Sequence, residues 1–307
     1  MKNTILVTGS NGIIGNQLIN QILKKYTKSD IIVINRKKSN LGFNKRIISI
    51  ELNLLNTSFK EFDSFFLKFK PFLLFHLAWN TNHDDYLTNK ENKLWEKVSI
   101  MLIDSFYKHG GKRFVGIGSS IEYDWRSVSP FNEQNTPLDK TKFLYSKSKL
   151  NIFQYLKLLD NKSFLWCRIF FVFGPNQGES RLIPKLILNS LFGKNSISLN
   201  PLSRLDYIST FEIAKQIIMM EKSKYCGAVN ICSGRGFELR KLVNLISTFT
   251  NKKIKVKEKL YEDKLESDLI IGDRSLINKL FPDYCYSSDN FKKDIVKTIN
   301  HFKNKKS

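Results

Sequence analysis

The stretch VTGSNGIIG, residues 7–15, lies between a short apolar run and an amphipathic segment. After a strand, Gly9 permits a tight turn, Gly12 lets the backbone approach a pyrophosphate, and Gly15 lets a helix pack closely. The amides at the N-terminus of that helix would face the negative charge. We interpret the loop from Gly9 to Gly15 as a dinucleotide-binding loop, in which Ser10, Asn11, Ile13 and Ile14 also line the cofactor.

Apolar runs alternate with segments of helical length beyond this loop. Strands are predicted at 5–7, 31–34, 47–54, 72–78, 113–119 and 164–173, and helices at 13–26, 56–70, 88–109 and 141–159. In the first helix Ile14, Leu18 and Ile22 recur at helical spacing and form one apolar face. The alternation predicts an α/β fold, a Rossmann-type doubly wound parallel sheet with helices on both faces.

The pattern becomes less regular after residue 174. A helix is predicted at 180–193, a strand–helix pair at 206–222, a short strand at 228–231 and a helix at 238–250. We expect residues 1–168 to form the dinucleotide-binding domain, with 205–232 returning to it. Residues 169–307 should form mainly a smaller C-terminal substrate-binding lobe.

Composition narrows the class of protein. The 307 residues are 42% hydrophobic, enough for a sizeable core, and no apolar run reaches 18 residues, so no membrane span is expected. The first residues lack the pattern of a signal peptide, and the four cysteines form no CxxC pair. These features favour a soluble, cytoplasmic protein, and no set of residues has the spacing of a metal site.

The charge is strongly positive, with 50 basic against 28 acidic residues and a net charge of +22. Such a charge is compatible with binding to nucleic acid. The basic residues are scattered, however, and no zinc-finger or RNA-binding motif accompanies them. We therefore expect no nucleic-acid partner, and the positive field would attract anionic small molecules.

The second predicted strand ends in Asn35, Arg36 and two lysines, without a carboxylate. An acid at this place would hydrogen bond the 2′-hydroxyl of NAD, whereas arginine can bind a 2′-phosphate through two parallel hydrogen bonds. NADP(H) is therefore the expected cofactor, with Arg36 as its contact. The simpler alternative is a solvated basic turn.

Tyr145 and Lys149 are one helical turn apart and on one face. A phenol with its ordinary pKa near 10 is a poor acid or base at neutral pH, and a neighbouring ammonium lowers that pKa. A Tyr–Lys pair at this spacing also arises by chance in so basic a chain. Its position, at the start of a helix after the fifth strand, makes it a candidate catalytic pair.

The glycine loop and the Tyr145–Lys149 pair belong to a series of motifs that covers most of the chain. The other motifs are HLAW (76–79), RIFFVFGP (168–175), RLIP (181–184), DYI (206–208) and NICSG (230–234). In their order the sequence resembles the extended short-chain dehydrogenase/reductase superfamily, in the branch of epimerases and dehydratases that modify sugar nucleotides. The resemblance implies that Tyr145 exchanges a proton with the substrate. Lys149 would lower the pKa of Tyr145 and hold the nicotinamide ribose. Ser119, four residues before Tyr123, would bind the substrate oxygen.

The resemblance implies further cofactor contacts and a quaternary structure. The additional cofactor residues are Asn53, Leu54, Leu77, Ala78 and Trp79. A homodimer is expected through the helices predicted at 88–109 and 141–159. Candidate substrate contacts are Ser120, Glu122, His83 and, for the diphosphate, Arg181 or Arg204.

The stretch GSSIEYDW (118–125) bears on the reaction. Dehydratases of the family place an acid and a base directly after the catalytic hydroxyl, where this chain has Ser120 and Ile121. Glu122 is one place late, and on an extended segment it would point to the opposite face. It stays open whether Glu122 holds the turn, contacts a sugar hydroxyl or takes part in catalysis.

The residues predict NADP(H)-dependent hydride transfer to a carbonyl. The resemblance implies that the substrate is a nucleotide-linked 4-keto-6-deoxyhexose, so that the protein would be a reductase acting in surface-glycan biosynthesis. One alternative is a sugar-nucleotide 4-epimerase with tightly bound NAD. A non-enzymatic alternative is a dinucleotide-binding regulator.

Overall fold

The computed structural model describes residues 3–37, 44–82, 84–139, 143–193, 196–258 and 268–305. Within them the strands are β1 (Thr4–Thr8), β2 (Asp30–Asn35), β3 (Ile47–Glu51), β4 (Leu73–His76), β5 (Arg113–Ser119), β6 (Ser163–Ile169), β7 (Phe171–Phe173), β8 (Ile197–Leu199), β9 (Arg204–Leu205), β10 (Tyr207–Ser209), β11 (Gly227–Ile231), β12 (Phe237–Glu238), β13 (Val256–Glu258) and β14 (Leu269–Ile270).

The helices of the same residues are α1 (Ile13–Lys25), α2 (Phe59–Phe69), α3 (Glu91–Lys108), α4 (Leu144–Leu158), α5 (Leu182–Phe192), α6 (Thr210–Lys222), α7 (Leu239–Thr250), α8 (Ser275–Leu280) and α9 (Ser288–Lys305). Local sequence explains several of their ends. For example, α2 begins with a capping box in which Ser58 and Glu61 satisfy each other's backbone amides. No helix of the described residues combines the length and the hydropathy that crossing a membrane requires.

The central sheet has seven strands in the order β11-β6-β5-β4-β1-β2-β3. Strand β1 pairs in parallel with β2 and β4, and β2–β3 and β4–β5 are also parallel pairs. The strand order reverses beside β1, because the chain leaves β3 at one edge and re-enters at β4. In open α/β sheets ligands bind at such a switch point, beyond the carboxyl ends of the strands. The predicted Rossmann-type fold is confirmed.

Two compact units divide the chain. The first contains Met1–Glu122, Asp139–Arg168 and Ala214–Val229, and the second contains the remainder. In the first unit, α2, α3 and α4 pack on one face of the sheet and form a core with alternate residues of its strands. The second has its own core, formed by α5, α7 and α9 against short strands.

The boundaries differ from the predicted division in two places. Residues 123–138 belong to the second unit, where the Tyr123 hydroxyl donates to Asn230 Oδ1 at 2.7 Å and Asn230 Nδ2 donates to the Phe131 carbonyl at 2.7 Å. The segment that returns to the first unit is 214–229 rather than 205–232. Strand β10 stays in the second unit because it pairs with β7. The single strand predicted over 164–173 is divided into β6 and β7.

Candidate active site

The glycine loop joins β1 to α1 with little free space. Gly9 has a φ of +73°, and a Cβ built on it would lie 2.7 Å from the Ala78 amide nitrogen. A Cβ on Gly15 would lie 2.7 Å from the Ser10 Cα, whereas one on Gly12 would meet only the Gly9 carbonyl oxygen, at 3.2 Å. The loop is thus closed by backbone packing at Gly9 and Gly15 and open at Gly12, which fits a site where backbone approaches a pyrophosphate.

Asn35, the last residue of β2, is bonded to the glycine loop. Its Nδ2 donates to Ser10 Oγ at 2.8 Å, and its Oδ1 accepts from the Asn11 amide at 3.1 Å. The buried Asn35 side chain therefore shapes the loop, while Arg36 and Lys37 beside it are exposed. A bound dinucleotide would meet basic side chains at this strand end.

The remaining predicted cofactor residues surround the same sheet edge. Asn53 is exposed and caps a 3₁₀ turn by accepting from the Leu55 amide at 3.2 Å, and Leu54 is buried. Leu77, Ala78 and Trp79 follow β4 and are half-buried. These residues and the glycine cradle fit a dinucleotide.

A directed hydrogen-bond chain crosses the sheet at His76. The Ser99 hydroxyl donates to the Trp95 carbonyl at 2.6 Å, so it accepts from His76 Nε2 at 2.9 Å. The Thr8 hydroxyl then donates to His76 Nδ1 at 2.8 Å and accepts from the Ala78 amide at 3.2 Å. Burial, and secondarily the Lys149 charge, lower the pKa of His76 to about 3. His76 is a neutral structural residue.

We expect His76 to make the protein sensitive to acid. Its folded pKa of about 3 lies below the unfolded value of 6.5, so the unfolded state alone takes up the proton as the pH falls between these values. The free energy of unfolding should drop by up to about 5 kcal/mol across this window. In His76→Gln the slope of unfolding free energy against pH, measured by urea denaturation from pH 6.5 to 4, should become shallower. An unchanged slope would contradict the assignment.

Lys149 lies on α4 and is almost fully buried. Its Nζ donates to the Ile117 carbonyl of β5 at 2.8 Å and lies 3.5 Å from the centroid of the Trp79 ring, a cation–π contact. Burial lowers the pKa of the Lys149 ammonium to about 7, and the Glu122 carboxylate acts in the opposite direction. The charge of Lys149 therefore changes near neutral pH in the ligand-free protein.

Tyr145 begins the same helix, and its ring is enclosed by two aromatic side chains. The rings of Trp79 and Tyr86 meet it edge-on, with centroids 6.0 and 5.2 Å away. Trp79 is itself held by a 2.8 Å hydrogen bond from its Nε1 to Asn92 Oδ1 and by stacking on Trp95. The structure thus brings Tyr145, Lys149 and Trp79 together.

Ser119 ends β5, two residues after the carbonyl that accepts from Lys149. A 3₁₀ turn, Ser120–Glu122, follows directly, and its Ser120 side chain is buried. The extended segment assumed from the sequence is therefore absent here, and the turn directs Glu122 inward.

Glu122 is fully buried and its carboxylate is surrounded by donors. Oε1 accepts from the Ser119 amide at 2.8 Å, and Oε2 accepts from Arg168 Nε at 2.9 Å and Trp166 Nε1 at 3.0 Å. The Glu122 carboxylate has no exposed surface in this structure, and its contact with substrate stays a prediction. The alternative that Glu122 holds the turn agrees with this geometry.

Sequence reasoning missed Arg168 and Trp166 as partners of Glu122. A signal was present, because Arg168 stands in the apolar run FLWCRIFFVF, and a charge inside a buried strand requires a partner. The sequence did not identify Glu122 as this partner, because the two residues are 46 positions apart.

The other predicted substrate residues that the structure describes are two arginines of the second unit. Arg181 immediately precedes α5 and is half-buried, and Arg204 is exposed on β9, both in the second unit. His83 lies outside the described residues. Among the described residues, no three His, Cys, Asp or Glu side chains are grouped to hold a metal ion.

Comparison with known proteins agrees with this fold. The chain is 24% identical over 269 residues to the dTDP-4-dehydro-6-deoxyglucose reductase of Escherichia coli, covering 82% of this chain and 83% of that protein. Its structure is similar to the UDP-N-acetylglucosamine 4-epimerase of Methanobrevibacter ruminantium M1, solved in complex with UDP-N-acetylmuramic acid, with a TM-score of 0.85, 22% identity and coverage of 99% and 100% of the two chains.

It is also similar to the Bordetella bronchiseptica enzyme WbmH in complex with NAD+, with a TM-score of 0.83, 16% identity and coverage of 98% of both chains. Residues 5–232 match the NAD dependent epimerase/dehydratase family, which is a family of enzymes. Since this match covers most of the chain, the protein belongs to the NAD dependent epimerase/dehydratase family.

Proposed function

We propose that the protein is an NADP(H)-dependent reductase of a nucleotide-linked 4-keto-6-deoxyhexose that serves surface-glycan biosynthesis. The observation that carries this proposal is the burial of Glu122 against Arg168. Water elimination from a sugar needs a base at this strand edge, and here Glu122, the carboxylate of the stretch GSSIEYDW that is nearer to Ser119 in sequence, is held away from solvent. With Ile121 beside it, the edge retains a hydroxyl for carbonyl chemistry but no base for dehydration.

In this proposal each residue has one role. The nicotinamide cofactor supplies the hydride when bound. Ser119 donates a hydrogen bond to the substrate carbonyl oxygen, and Tyr145 donates the proton that this oxygen takes up. Lys149, as an ammonium, favours the phenolate that Tyr145 becomes and holds the ribose. Arg181 or, alternatively, Arg204 is proposed to bind the nucleotide diphosphate of the substrate.

A panel of 4-keto-6-deoxy sugar nucleotides carrying dTDP, GDP, CDP or UDP tests the reaction. In the presence of at least one member of the panel, the purified protein should oxidise NADPH. The loss of the absorbance of the reduced nicotinamide measures this oxidation. The product should carry a hydroxyl at C4 by NMR. Absence of oxidation with every member would overturn the reductase.

The cofactor preference is proposed to depend on Arg36, which is exposed beside the bonded Asn35. Arg36→Gln removes a charge-assisted hydrogen bond of about 1.5–3 kcal/mol to the 2′-phosphate. We therefore expect the Kd for NADPH to rise about 10- to 100-fold while the Kd for NADH changes little, as measured by calorimetry. Lys24→Gln, an equal loss of charge on α1, is the control, and an equal loss for both cofactors would contradict the assignment.

A 4-epimerase with tightly bound NAD is the second candidate. The similarity of the whole fold to a UDP-N-acetylglucosamine 4-epimerase favours it. Protein purified without added cofactor would then contain NAD and interconvert C4 epimers of a sugar nucleotide. Membership in a family of enzymes favours either reaction over the dinucleotide-binding regulator.

A homodimer through α3 and α4 is proposed as the assembly. These helices leave a groove of about 430 Å³ between them, which the apolar side chains of Ile100, Met101 and Leu144 line together with polar residues. Burying such a surface would stabilise a dimer, and a charge placed in it would oppose this. We expect the parent to sediment as a dimer and Met101→Glu as a monomer with an unchanged circular-dichroism spectrum. A monomeric parent would contradict this assembly.

A further inference from the structure

We propose that the buried Glu122–Arg168 pair is a positioning element of the active site. Glu122 fixes the backbone at Ser119 and favours the ammonium form of Lys149, and Arg168 balances the charge of Glu122. The inference rests on the proposed function in assigning work to Ser119 and Lys149. It adds two residues that do not touch substrate.

The first part of the proposal concerns the strand end at Ser119. The Ser119 amide donates to Glu122 Oε1 at 2.8 Å, so the carboxylate is bonded to the backbone of the residue proposed to bind substrate. Gly118 gives the carboxylate room, because a Cβ there would lie 2.5 Å from Glu122 Oε1. The carboxylate therefore sets where the Ser119 backbone lies.

The pair also contacts the helix that carries Tyr145 and Lys149. The Arg168 guanidinium lies 5.0 Å from the centroid of the Phe153 ring, one helical turn after Lys149, and Trp166 stacks on the same ring at 6.2 Å. Arg168 thus contacts both Glu122, beside the serine edge, and α4. A shift of this pair would move the two sides of the site relative to each other.

Charge is the second part of the proposal. The Glu122 carboxylate favours the ammonium form of Lys149, against a burial that lowers the Lys149 pKa to about 7. The other groups that face Lys149 are the Tyr145 phenol on α4 and, on and after β4, neutral His76 and the uncharged Trp79 ring. The Trp79 ring favours the cation through its cation–π contact, Glu122 is the anionic group that does so, and Arg168 balances the carboxylate.

Stability alone does not account for such a pair. Buried ion pairs are often no more stabilising than apolar residues of similar volume, whereas removing one partner leaves a buried charge uncompensated. A role in holding the site explains why both charges are present in the buried interior of the first unit. This explanation predicts that the two charges act on Lys149 as a pair.

The test compares the parent with Glu122→Gln and with the double variant Glu122→Gln/Arg168→Gln. Lysine-labelled, ligand-free protein is titrated by NMR; the Lys149 side-chain resonance is recognised by the ring current of Trp79 and by its loss in Lys149→Arg. In Glu122→Gln the uncompensated Arg168 charge should lower the Lys149 midpoint by a unit or more, which reduces its ammonium fraction at pH 8 about tenfold. In the double variant the midpoint should return toward the parent value, although packing is altered at both positions.

The outcomes separate this inference from the proposed reaction. A parental midpoint in Glu122→Gln, or equal displacement in the single and double variants, would overturn the charge role. Arg168→Lys keeps the charge but alters the contacts to Glu122 and Phe153, so it should retain the parental Lys149 midpoint and lower kcat. If Glu122→Gln fails to fold, Arg168→Lys still tests the proposal, because a displaced Lys149 midpoint in that variant would refute it. Asp63→Asn, which removes a surface carboxylate that pairs with Lys108, should leave the midpoint unchanged. Failure of the sugar-nucleotide panel would refute the reductase without altering these midpoints.

Discussion

Tyr145→Phe is expected to lower kcat by about 10²- to 10⁴-fold, the usual contribution of a positioned general acid. Phenylalanine keeps the ring that packs between Trp79 and Tyr86, so the folded structure and the affinity for the dinucleotide should change little. Single-turnover oxidation of NADPH with the best substrate of the panel measures the loss, and calorimetry measures cofactor binding.

Tyr155→Phe is the matched control for this prediction. Tyr155 lies on the same helix, and its hydroxyl donates to the Asp104 carboxylate rather than facing the site. The control should retain nearly all of the parental kcat. If Tyr145→Phe also retained most of it, another residue would have to supply the proton.

Gly15→Ala is expected to destabilise the first unit by about 3 kcal/mol and to abolish dinucleotide binding. The added Cβ would lie 2.7 Å from the Ser10 Cα, and backbone cannot yield as a flexible side chain can. Restoring normal contact would separate α1 from the glycine loop, which would also break the alignment of Asn11 with Asn35. Urea denaturation measures the loss of stability.

Gly12→Ala separates the effect on the fold from the effect on the ligand. Its Cβ would meet one carbonyl oxygen, at 3.2 Å, so the free energy of unfolding should fall by less than about 1 kcal/mol. The methyl group would nevertheless stand where a pyrophosphate approaches, and dinucleotide affinity should fall. Equal destabilisation by both substitutions would contradict this account of the loop.

The sequence was informative where structure depends on near neighbours. The apolar face of α1 and the alternation of strands and helices are local patterns, and they placed the helices at 13–26 and 56–70 within two or three residues of the observed bounds. Tyr145 and Lys149 share one helix turn, so their common face followed from spacing alone.

Contacts between distant residues were not predictable. Trp79 lies against Lys149 although 70 positions separate them, and Asn35 is bonded to Ser10 across the sheet edge. The direction of Glu122 depends on the 3₁₀ turn Ser120–Glu122, which the local sequence does not predict. Its partners come from β6, and only the packed sheet brings that strand beside β5.

The contact of Trp79 with the Lys149 ammonium also gives the protein an internal optical reporter. A cation 3.5 Å from the centroid of an indole ring withdraws excited-state electron density, so gain or loss of the Lys149 proton should change the emission of that tryptophan. Intrinsic fluorescence followed through neutral pH would therefore display the protonation of a buried lysine without any label. Subtraction of the spectrum of Trp79→Phe isolates this emission from that of the three other tryptophans.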